Sequence, residues 1–367
     1  MILIEIIFYC TSAILLSISL VRCIIITSKD SRKSKNDNKT GFTIIICSHN
    51  ELNNLQKNLT SILEQEYSKF EIIVVLDRCT DDSFDYLESV YHKNSKLRVL
   101  SINKVPDGFH PKKYGLTKAI SLATHDWILL TDADCKPISK NWIETFNGKV
   151  SSDTEVIIGI SPYQNHGSLL SHLISYETFQ TAESYISAAR RKNAYMAVGR
   201  NLAYNKKIFF DHDGFGKYQS ITGGDDDLFI QQVSTSSNTE VNIDIDSPTI
   251  SVPKRSWKAY LHQKTRHLSV GKYYKLSSKL KLTFQAIAHS LMWLSFIILI
   301  SFMSDSWTVG LIFATVLIVR GLISNYTSSN LQIRWNPWLF PVMDFVYAIL
   351  LPLISVRSFL IKRVRWN

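Results

Sequence analysis

Two apolar regions, one at each end of this 367-residue chain, constrain its fold more than any other feature. The first, Ile6 to Thr27, is interrupted only by hydroxyl residues, two cysteines and Arg22. About 20 predominantly apolar residues suffice to cross a bilayer as a helix, so this stretch predicts a membrane anchor. Its positive charges come after the apolar run, whereas a cleavable signal peptide begins with basic residues.

The carboxyl-terminal apolar region predicts a helical hairpin followed by one ambiguous segment. Leu282 to Met303 and Trp307 to Ile323 are long enough for two spans, and a short polar turn separates them. A further run, Trp338 to Val356, contains Asp344 and two prolines. If it spans, the basic tail from Arg357 lies outside, against the positive-inside tendency. A re-entrant or interfacial arrangement therefore stays open.

The charge distribution indicates a membrane surface. The formal net charge is +10, and much of the excess flanks the apolar segments. Such placement favours anionic lipid over nucleic acid; simple solvated flanks are the alternative. Basic residues after the first span place the central region in the cytoplasm. We therefore expect a multi-pass protein of the inner cell membrane, with no nucleic-acid partner.

The middle of the chain alternates between strand and helix patterns. β-rich runs at Phe42 to Cys47 and Phe70 to Leu76 flank Glu51 to Gln65, whose apolar residues recur at helical spacing. The alternation continues to a strand at Trp127 to Thr131, which predicts an α/β domain with a mostly parallel sheet flanked by helices. Ligands of such sheets bind at the carboxyl ends of the strands.

Polar and acidic residues follow three of the predicted strands, at Ser48 to Glu51, Asp77 to Asp82 and Thr131 to Asp134. No glycine-rich loop follows the first strand, which argues against a dinucleotide fold and a P-loop. D-x-D occurs four times, but only Asp132 and Asp134 directly follow a strongly apolar strand. Carboxylates on a short turn suit Mg²⁺ or Mn²⁺. An Asp-rich turn without an ion is the alternative.

A second acidic cluster, Asp225 to Asp227, follows the glycine pair Gly223-Gly224. Crowded like charges raise at least one carboxyl pKa, and a raised pKa suits a general base. The alternative is a negatively charged helix start.

Taken in chain order, these residues resemble family 2 glycosyltransferases with the GT-A fold, over roughly Phe42 to Tyr274. The resemblance rests on a series of ordered motifs: Ser48-His49-Asn50-Glu51, Asp77 with Thr80 and Asp82, Lys113, Asp132-Ala133-Asp134, Gly224-Asp225-Asp226 and Gln263 to His267. It implies that Asn50, Glu51 and Asp77 lie around the nucleoside of a sugar donor, with Lys113 near the nucleotide pocket.

The same resemblance assigns the acidic residues. It implies that Asp132 and Asp134 handle the donor phosphates and a Mg²⁺ or Mn²⁺ ion, which stabilises charge on the leaving diphosphate. It makes Asp226 the general base, with Asp225 as the alternative.

Trp257 to Leu282 combines aromatic residues with seven lysines and arginines, which suits a surface-lying amphipathic helix or an ordinary solvated one. Within it, Gln263, Arg266 and His267 resemble the Q-x-x-R-W motif of cellulose and hyaluronan synthases, implying donor contacts. His267 replaces the tryptophan and so removes a stacking surface. This departure weakens the case for a polymerising enzyme.

These observations predict a GT-A α/β domain with transmembrane helices at both ends. The expected division is an anchor at 1–28, a basic linker at 29–39, a catalytic domain at 40–256, an interfacial helix at 257–281 and a membrane region at 282–367. The expected activity is inverting transfer of one sugar from a nucleoside-diphosphate sugar, a UDP-sugar by the resemblance, to a hydroxyl of a lipid-linked or membrane-proximal acceptor. A processive polysaccharide synthase and a catalytically silent membrane scaffold are the alternatives.

Overall fold

The computed structural model describes residues 1–28, 38–303 and 306–360. The helices are α1 Ile2–Thr27, α2 Leu52–Leu63, α3 Ser83–Tyr91, α4 Pro111–Leu122, α5 Trp142–Asn147, α6 Leu169–Arg190, α7 Lys206–Asp211, α8 Asp227–Val233, α9 Trp257–Val270, α10 Leu276–Phe302, α11 Ser306–Asn330 and α12 Phe340–Leu360. The strands are β1 Phe42–Ser48, β2 Phe70–Asp77, β3 Leu97–Ile102, β4 Trp127–Asp132, β5 Cys135–Pro137, β6 Val156–Ile158, β7 Leu202–Asn205, β8 Thr239–Val241 and β9 Thr249–Ser251.

Seven strands form one sheet in the order β3-β2-β1-β4-β7-β6-β8. β1 pairs in parallel with both β2 and β4, and its register sets Cys47 opposite Asp132 and Ser48 opposite Leu76. These central strands are buried on both faces, which explains why they read as continuous apolar runs. The predicted mostly parallel sheet is confirmed, and three strands end together at one edge.

The described residues divide into two compact units, one built on this sheet and one helical. The helical unit contains α1, residues 165–187 and everything described from Pro253 onward. The domain boundaries expected from the sequence stay a prediction. Most of α6 lies within the segment 40–256, which was expected to be the catalytic domain, but the structure groups it with the helical unit. Its buried polar residues pair inside the helical unit; Glu183, for example, accepts from Arg22 of α1 at 3.4 Å.

Four helices of the helical unit are long and apolar enough to cross a membrane: Ile2–Thr27, Leu276–Phe302, Trp307–Asn330 and Pro337–Leu360. α1, α10 and α11 share a core in which the rings of Phe296 and Phe313 stack with centroids 3.7 Å apart. The last apolar run, predicted over Trp338 to Val356, begins in a 3₁₀ turn, Pro337–Leu339, and continues as α12, which contains Pro352.

A buried carboxylate connects four helices of this unit. Asp344 of α12 accepts two hydrogen bonds from Arg320 of α11, at 3.0 and 3.1 Å. Trp293 of α10 donates to it at 2.9 Å and Tyr176 of α6 at 2.8 Å, while His289 Nε2 lies 2.9 Å away. A buried charge is costly unless it is paired and hydrogen-bonded, so this arrangement ties α12 to its neighbours.

The basic segment expected to form one amphipathic helix is broken in the structure. α9 ends at Val270, a 3₁₀ turn covers Gly271–Tyr273, and α10 begins at Leu276. The backbone is extended at Tyr274 and Lys275, which cap the turn and the next helix. The lysines of this segment therefore lie on α9, on the 3₁₀ turn and at the start of α10, and those from Lys275 onward lead directly into a candidate span.

Candidate active site

The loops after β1 and β2 interlock at the carboxyl edge of the sheet. Asn50 has a positive φ of 55°, and its Oδ1 accepts from the Thr80 amide at 2.7 Å. Arg78, also at positive φ, holds the Asp77 carboxylate through two bonds of 2.8 and 3.0 Å. Glu51 caps α2 and accepts from Asn54. The structure thus brings Asn50, Glu51 and Asp77 together at the carboxyl ends of β1 and β2, and their place around the nucleoside stays a prediction.

Lys112, at the start of α4, connects the two acidic motifs. Its Nζ lies 3.2 Å from Asp132 Oδ1 and 2.9 Å from Asp225 Oδ2. Burial lowers the pKa of Lys112, but the two carboxylates outweigh this effect and raise the pKa well above its usual value. Burial likewise raises the pKa of Asp225, and the Lys112 ammonium more than reverses that shift. Both partners therefore stay charged.

Asp132 ends β4 and Asp134 lies on the turn that follows, and with Cys135 they place potential ligand atoms within 4.8 Å of one another. The Cys135 thiol contacts Asp134 Oδ1 at 3.3 Å, and burial raises the pKa of Cys135 well above its usual value. The sulfur is therefore a neutral neighbour. Two carboxylates on one half-exposed turn fit a Mg²⁺ or Mn²⁺ ion, which prefers oxygen ligands.

Asp226 caps α8 and lies beside the backbone of Gly199. Its Oδ2 accepts from the Gly199 amide and its Oδ1 from the Asp227 amide, both at 2.8 Å. A Cβ at position 199 would lie 3.3 Å from Oδ2, so the glycine permits this close approach. Burial, followed by the Asp225 charge, raises the pKa of Asp226. The two adjacent carboxyl groups therefore have pKa values shifted in opposite directions.

Lys113 has a different environment from its neighbour Lys112. It is fully buried, and its ammonium donates to the carbonyls of Tyr218 at 2.6 Å and Ile221 at 3.0 Å. These carbonyls belong to the loop that leads through Gly223 and Gly224, both at positive φ, to the second acidic cluster. In the structure, Lys113 therefore anchors this loop. Its predicted proximity to the nucleotide stays a prediction.

Residues 43–212 match the family model "Glycosyl transferase family 2". This segment is a family 2 glycosyltransferase domain. It is 29% identical to the glycosyltransferase GlyG of Streptococcus pneumoniae over 119 residues, which cover 32% of this chain and 38% of the relative. It is 26% identical to poly-β-1,6-N-acetyl-D-glucosamine synthase of Staphylococcus aureus over 99 residues, 27% of this chain and 23% of the relative. The matches thus span less than two fifths of each curated relative's length.

A solved mannosyltransferase of Pyrobaculum calidifontis, in complex with GDP-mannose and Mn²⁺, superposes with a TM-score of 0.62 at 14% identity, over 94% of this chain and 99% of that one. At this identity the likeness establishes the fold, and the predicted GT-A architecture is confirmed.

The remaining predicted motif lies in the helical unit, outside the residues that the family model matches. Gln263, Arg266 and His267 are on α9, the first two half-buried and His267 exposed. An Arg266 nitrogen lies 3.4 Å from His267 Nε2. The structure describes this helix as part of a separate compact unit, so the expected donor contacts of these three residues stay a prediction.

Sequence reasoning missed Lys112. A signal was present, because α4 begins with Pro111 at the sheet edge where ligands bind, and a lysine in its first turn can reach the strand ends. Adjacent helix positions differ by about 100° in direction. Only the tertiary structure decides which of the two lysines faces the carboxylates.

Proposed function

We propose that this chain is a metal-dependent, inverting glycosyltransferase that moves one sugar from a nucleoside-diphosphate sugar, of the UDP class, to a hydroxyl of a lipid-linked or membrane-proximal acceptor. The observation that carries the proposal is the convergence of Asp132, Lys112, Asp225 and Asp226 at the carboxyl edge of a family 2 glycosyltransferase sheet. These residues pair a candidate ion-binding turn with a half-buried carboxylate, that of Asp226, whose pKa is raised.

Asp132 and Asp134 would hold Mg²⁺ or Mn²⁺, which supplies electrostatic stabilisation of the charge on the departing diphosphate. Lys112 adds a fixed positive charge beside the same turn, so it offsets part of the negative charge that the acids and a diphosphate bring together. The loops that carry Asn50 and Asp77 end at this edge and supply polar groups for the nucleoside.

Asp226 takes the proton of the acceptor hydroxyl. As the hydroxyl oxygen forms its bond to the anomeric carbon, the bond from that carbon to the diphosphate oxygen breaks, and the proton passes to the carboxylate. Attack on the face opposite the leaving group inverts the anomeric configuration. Asp225 suits this role less well because its charge is committed to Lys112. The two amides that bind Asp226 fix its orientation and leave lone pairs for the acceptor.

The membrane helices support an acceptor at the bilayer. Four candidate spans belong to the same chain as the glycosyltransferase domain, and the basic residues after the first span favour a cytoplasmic position for that domain at the inner membrane. An acceptor attached to lipid would be concentrated near such an enzyme.

A processive synthase is the second candidate, because one relative is a polysaccharide synthase. Product length separates the two. Labelled donor should yield a single added sugar, whereas a ladder of long chains would establish the synthase.

The proposed activity is tested with the full chain in detergent and a panel of nucleoside-diphosphate sugars. One donor class should raise the unfolding temperature in the presence of Mn²⁺ and be hydrolysed or transferred. Asp134→Ala should lose both effects, while Asp211→Asn, at an exposed carboxylate of another D-x-D that pairs with Lys207, should retain them. Absence of protection by every donor with Mn²⁺ would favour a silent scaffold instead.

A further inference from the structure

Arg200 is a cation near the acidic motifs that the proposed reaction does not use. It is half-buried and lies in the 3₁₀ turn Gly199–Asn201, which precedes β7. Its guanidinium lies over the Tyr163 ring, 4.2 Å from the ring centroid, and one nitrogen donates to the Ser161 carbonyl at 2.9 Å. A guanidinium has five N–H donors, so this bond leaves donors for a ligand.

The backbone on both sides of Arg200 is fixed. The Gly199 amide donates to the carboxylate of Asp226, the proposed base, at 2.8 Å. Asn201 is fully buried, and its side chain makes three hydrogen bonds within the unit built on the sheet. The position of the Arg200 side chain is therefore set before any substrate binds, which is the arrangement that a binding site needs.

Strand pairing connects Arg200 to the candidate ion-binding turn. β5 begins at Cys135, directly after Asp134, and its pairing with β9 sets Cys135 opposite Ser251. Ser251 also forms a β-bridge with Tyr163, whose ring carries the Arg200 guanidinium. Burial lowers the pKa of Arg200, but Tyr163, Cys135 and Asp134 outweigh this effect and raise it. Arg200 therefore stays charged beside the turn.

Arg200 differs from Lys112 in its charge partners. Lys112 pairs with the carboxylates of Asp132 and Asp225. In the part of the chain that the structure describes, no carboxylate forms an ion pair with Arg200. A diphosphate bound at this turn adds its negative charge to that of Asp132 and Asp134, and a divalent ion neutralises only part of the total. Arg200 is thus a positive charge still available to an anion there.

We propose that Arg200 binds the diphosphate of the sugar donor, at the phosphate that leaves the anomeric carbon; the inference rests on the proposed function. A guanidinium donates two parallel hydrogen bonds to phosphate oxygens. As the bond between the anomeric carbon and the phosphate oxygen breaks, that oxygen gains negative charge, so the interaction strengthens in the transition state. One 3₁₀ turn therefore holds both the base, through Gly199, and the leaving group, through Arg200.

The experiment measures nucleotide affinity by calorimetry on the full chain in detergent with Mn²⁺. A panel of nucleoside diphosphates, UDP first, identifies one that binds the wild type, and the corresponding monophosphate is the matched ligand without the leaving phosphate. Arg200→Gln removes the charge, whereas Arg200→Lys keeps the charge and removes the planar fork. Arg191→Gln, at an exposed arginine of the unit built on the sheet, is the control.

Arg200→Gln should bind the diphosphate at least about tenfold more weakly and the monophosphate within about twofold of the wild type. Its rate of transfer should fall about 10²- to 10³-fold, because the charge on the leaving oxygen is greatest in the transition state. Arg200→Lys should lose about threefold in diphosphate affinity, and it carries the test if Arg200→Gln does not fold. Arg191→Gln should match the wild type.

Diphosphate affinity within the error of the wild type in both Arg200 variants would overturn the inference. Equal losses for the diphosphate and the monophosphate would also overturn it, because Arg200 would then support the pocket as a whole and not one phosphate. Failure of every nucleoside diphosphate to bind the wild type is a different result, which removes the proposed function and this inference with it.

Discussion

Replacing Lys113 with methionine tests whether this residue anchors the acidic loop or binds the nucleotide. Lys113→Met keeps an unbranched side chain of similar length over the Phe215 ring but removes the donor to the Tyr218 and Ile221 carbonyls. A hydrogen bond to a charged group contributes about 1.5–3 kcal/mol. The variant also no longer has to bury an ammonium, and this gain offsets part of the free energy lost with the two hydrogen bonds. The net loss in stability of the loop should therefore be about 2–3 kcal/mol.

This loss should appear as local opening of the loop. At 1.4 kcal/mol per factor of ten, 2–3 kcal/mol raises the opening equilibrium constant about 30- to 150-fold. Hydrogen exchange of peptides covering residues 216–226, measured on the full chain in detergent, reports this constant. Transfer should slow because the loop carries Asp225 and Asp226, while donor affinity should stay within about twofold of wild type. Lys118→Met, at an exposed position of the same helix, is the control. Unchanged exchange in this loop with a tenfold weaker donor affinity would refute the anchor and make Lys113 a nucleotide ligand.

Three further predictions concern Lys112, Asp344 and Asp226. Lys112→Met should reduce the rate of transfer at least tenfold, because Asp132 and Asp225 lose their shared counter-charge. Steady-state kinetics measure this loss, with Lys118→Met at an exposed position of the same helix as the control. Asp344→Asn leaves the buried Arg320 guanidinium without its carboxylate, which should lower the stability of the fold by about 3–5 kcal/mol. The yield of monodisperse protein should therefore fall sharply, whereas the control Asp153→Asn, at an exposed position, should purify normally. Burial and the Asp225 charge raise the pKa of Asp226, and the base must be ionised to accept a proton. The acid limb of the pH–rate profile should therefore have its midpoint above the usual aspartate pKa of about 3.9. A midpoint at or below that value would argue against Asp226 as the base.

Much of the sheet could be predicted from the sequence, because buried parallel strands are written as unbroken apolar runs. β1, β2 and β4 were each expected within a residue or two of their observed bounds. The position of the D-x-D turn followed from the same logic, since the carboxyl ends of parallel strands share one edge.

Features that depend on long-range contacts could not be predicted. The choice between Lys112 and Lys113 depends on the rotation of α4, which no local pattern encodes. The break after Val270 lies in a stretch whose composition suits a single helix. Likewise, Asp344 made the last apolar segment ambiguous, because its partners Arg320 and Tyr176 are 24 and 168 residues away in sequence.

The role of Asp226 as the base of a sugar transfer is tested most directly by comparing the variants Asp226→Asn and Asp225→Asn. Donor affinity and turnover are measured separately for each variant. Asp226→Asn should bind the donor normally and lose about 10²- to 10⁴-fold in transfer, because only the proton acceptor is removed. Asp225→Asn should turn over faster than Asp226→Asn, and exposed Asp211→Asn should match the wild type. Full transfer by Asp226→Asn with unchanged donor affinity would exclude Asp226 as the base and leave it only as a helix cap.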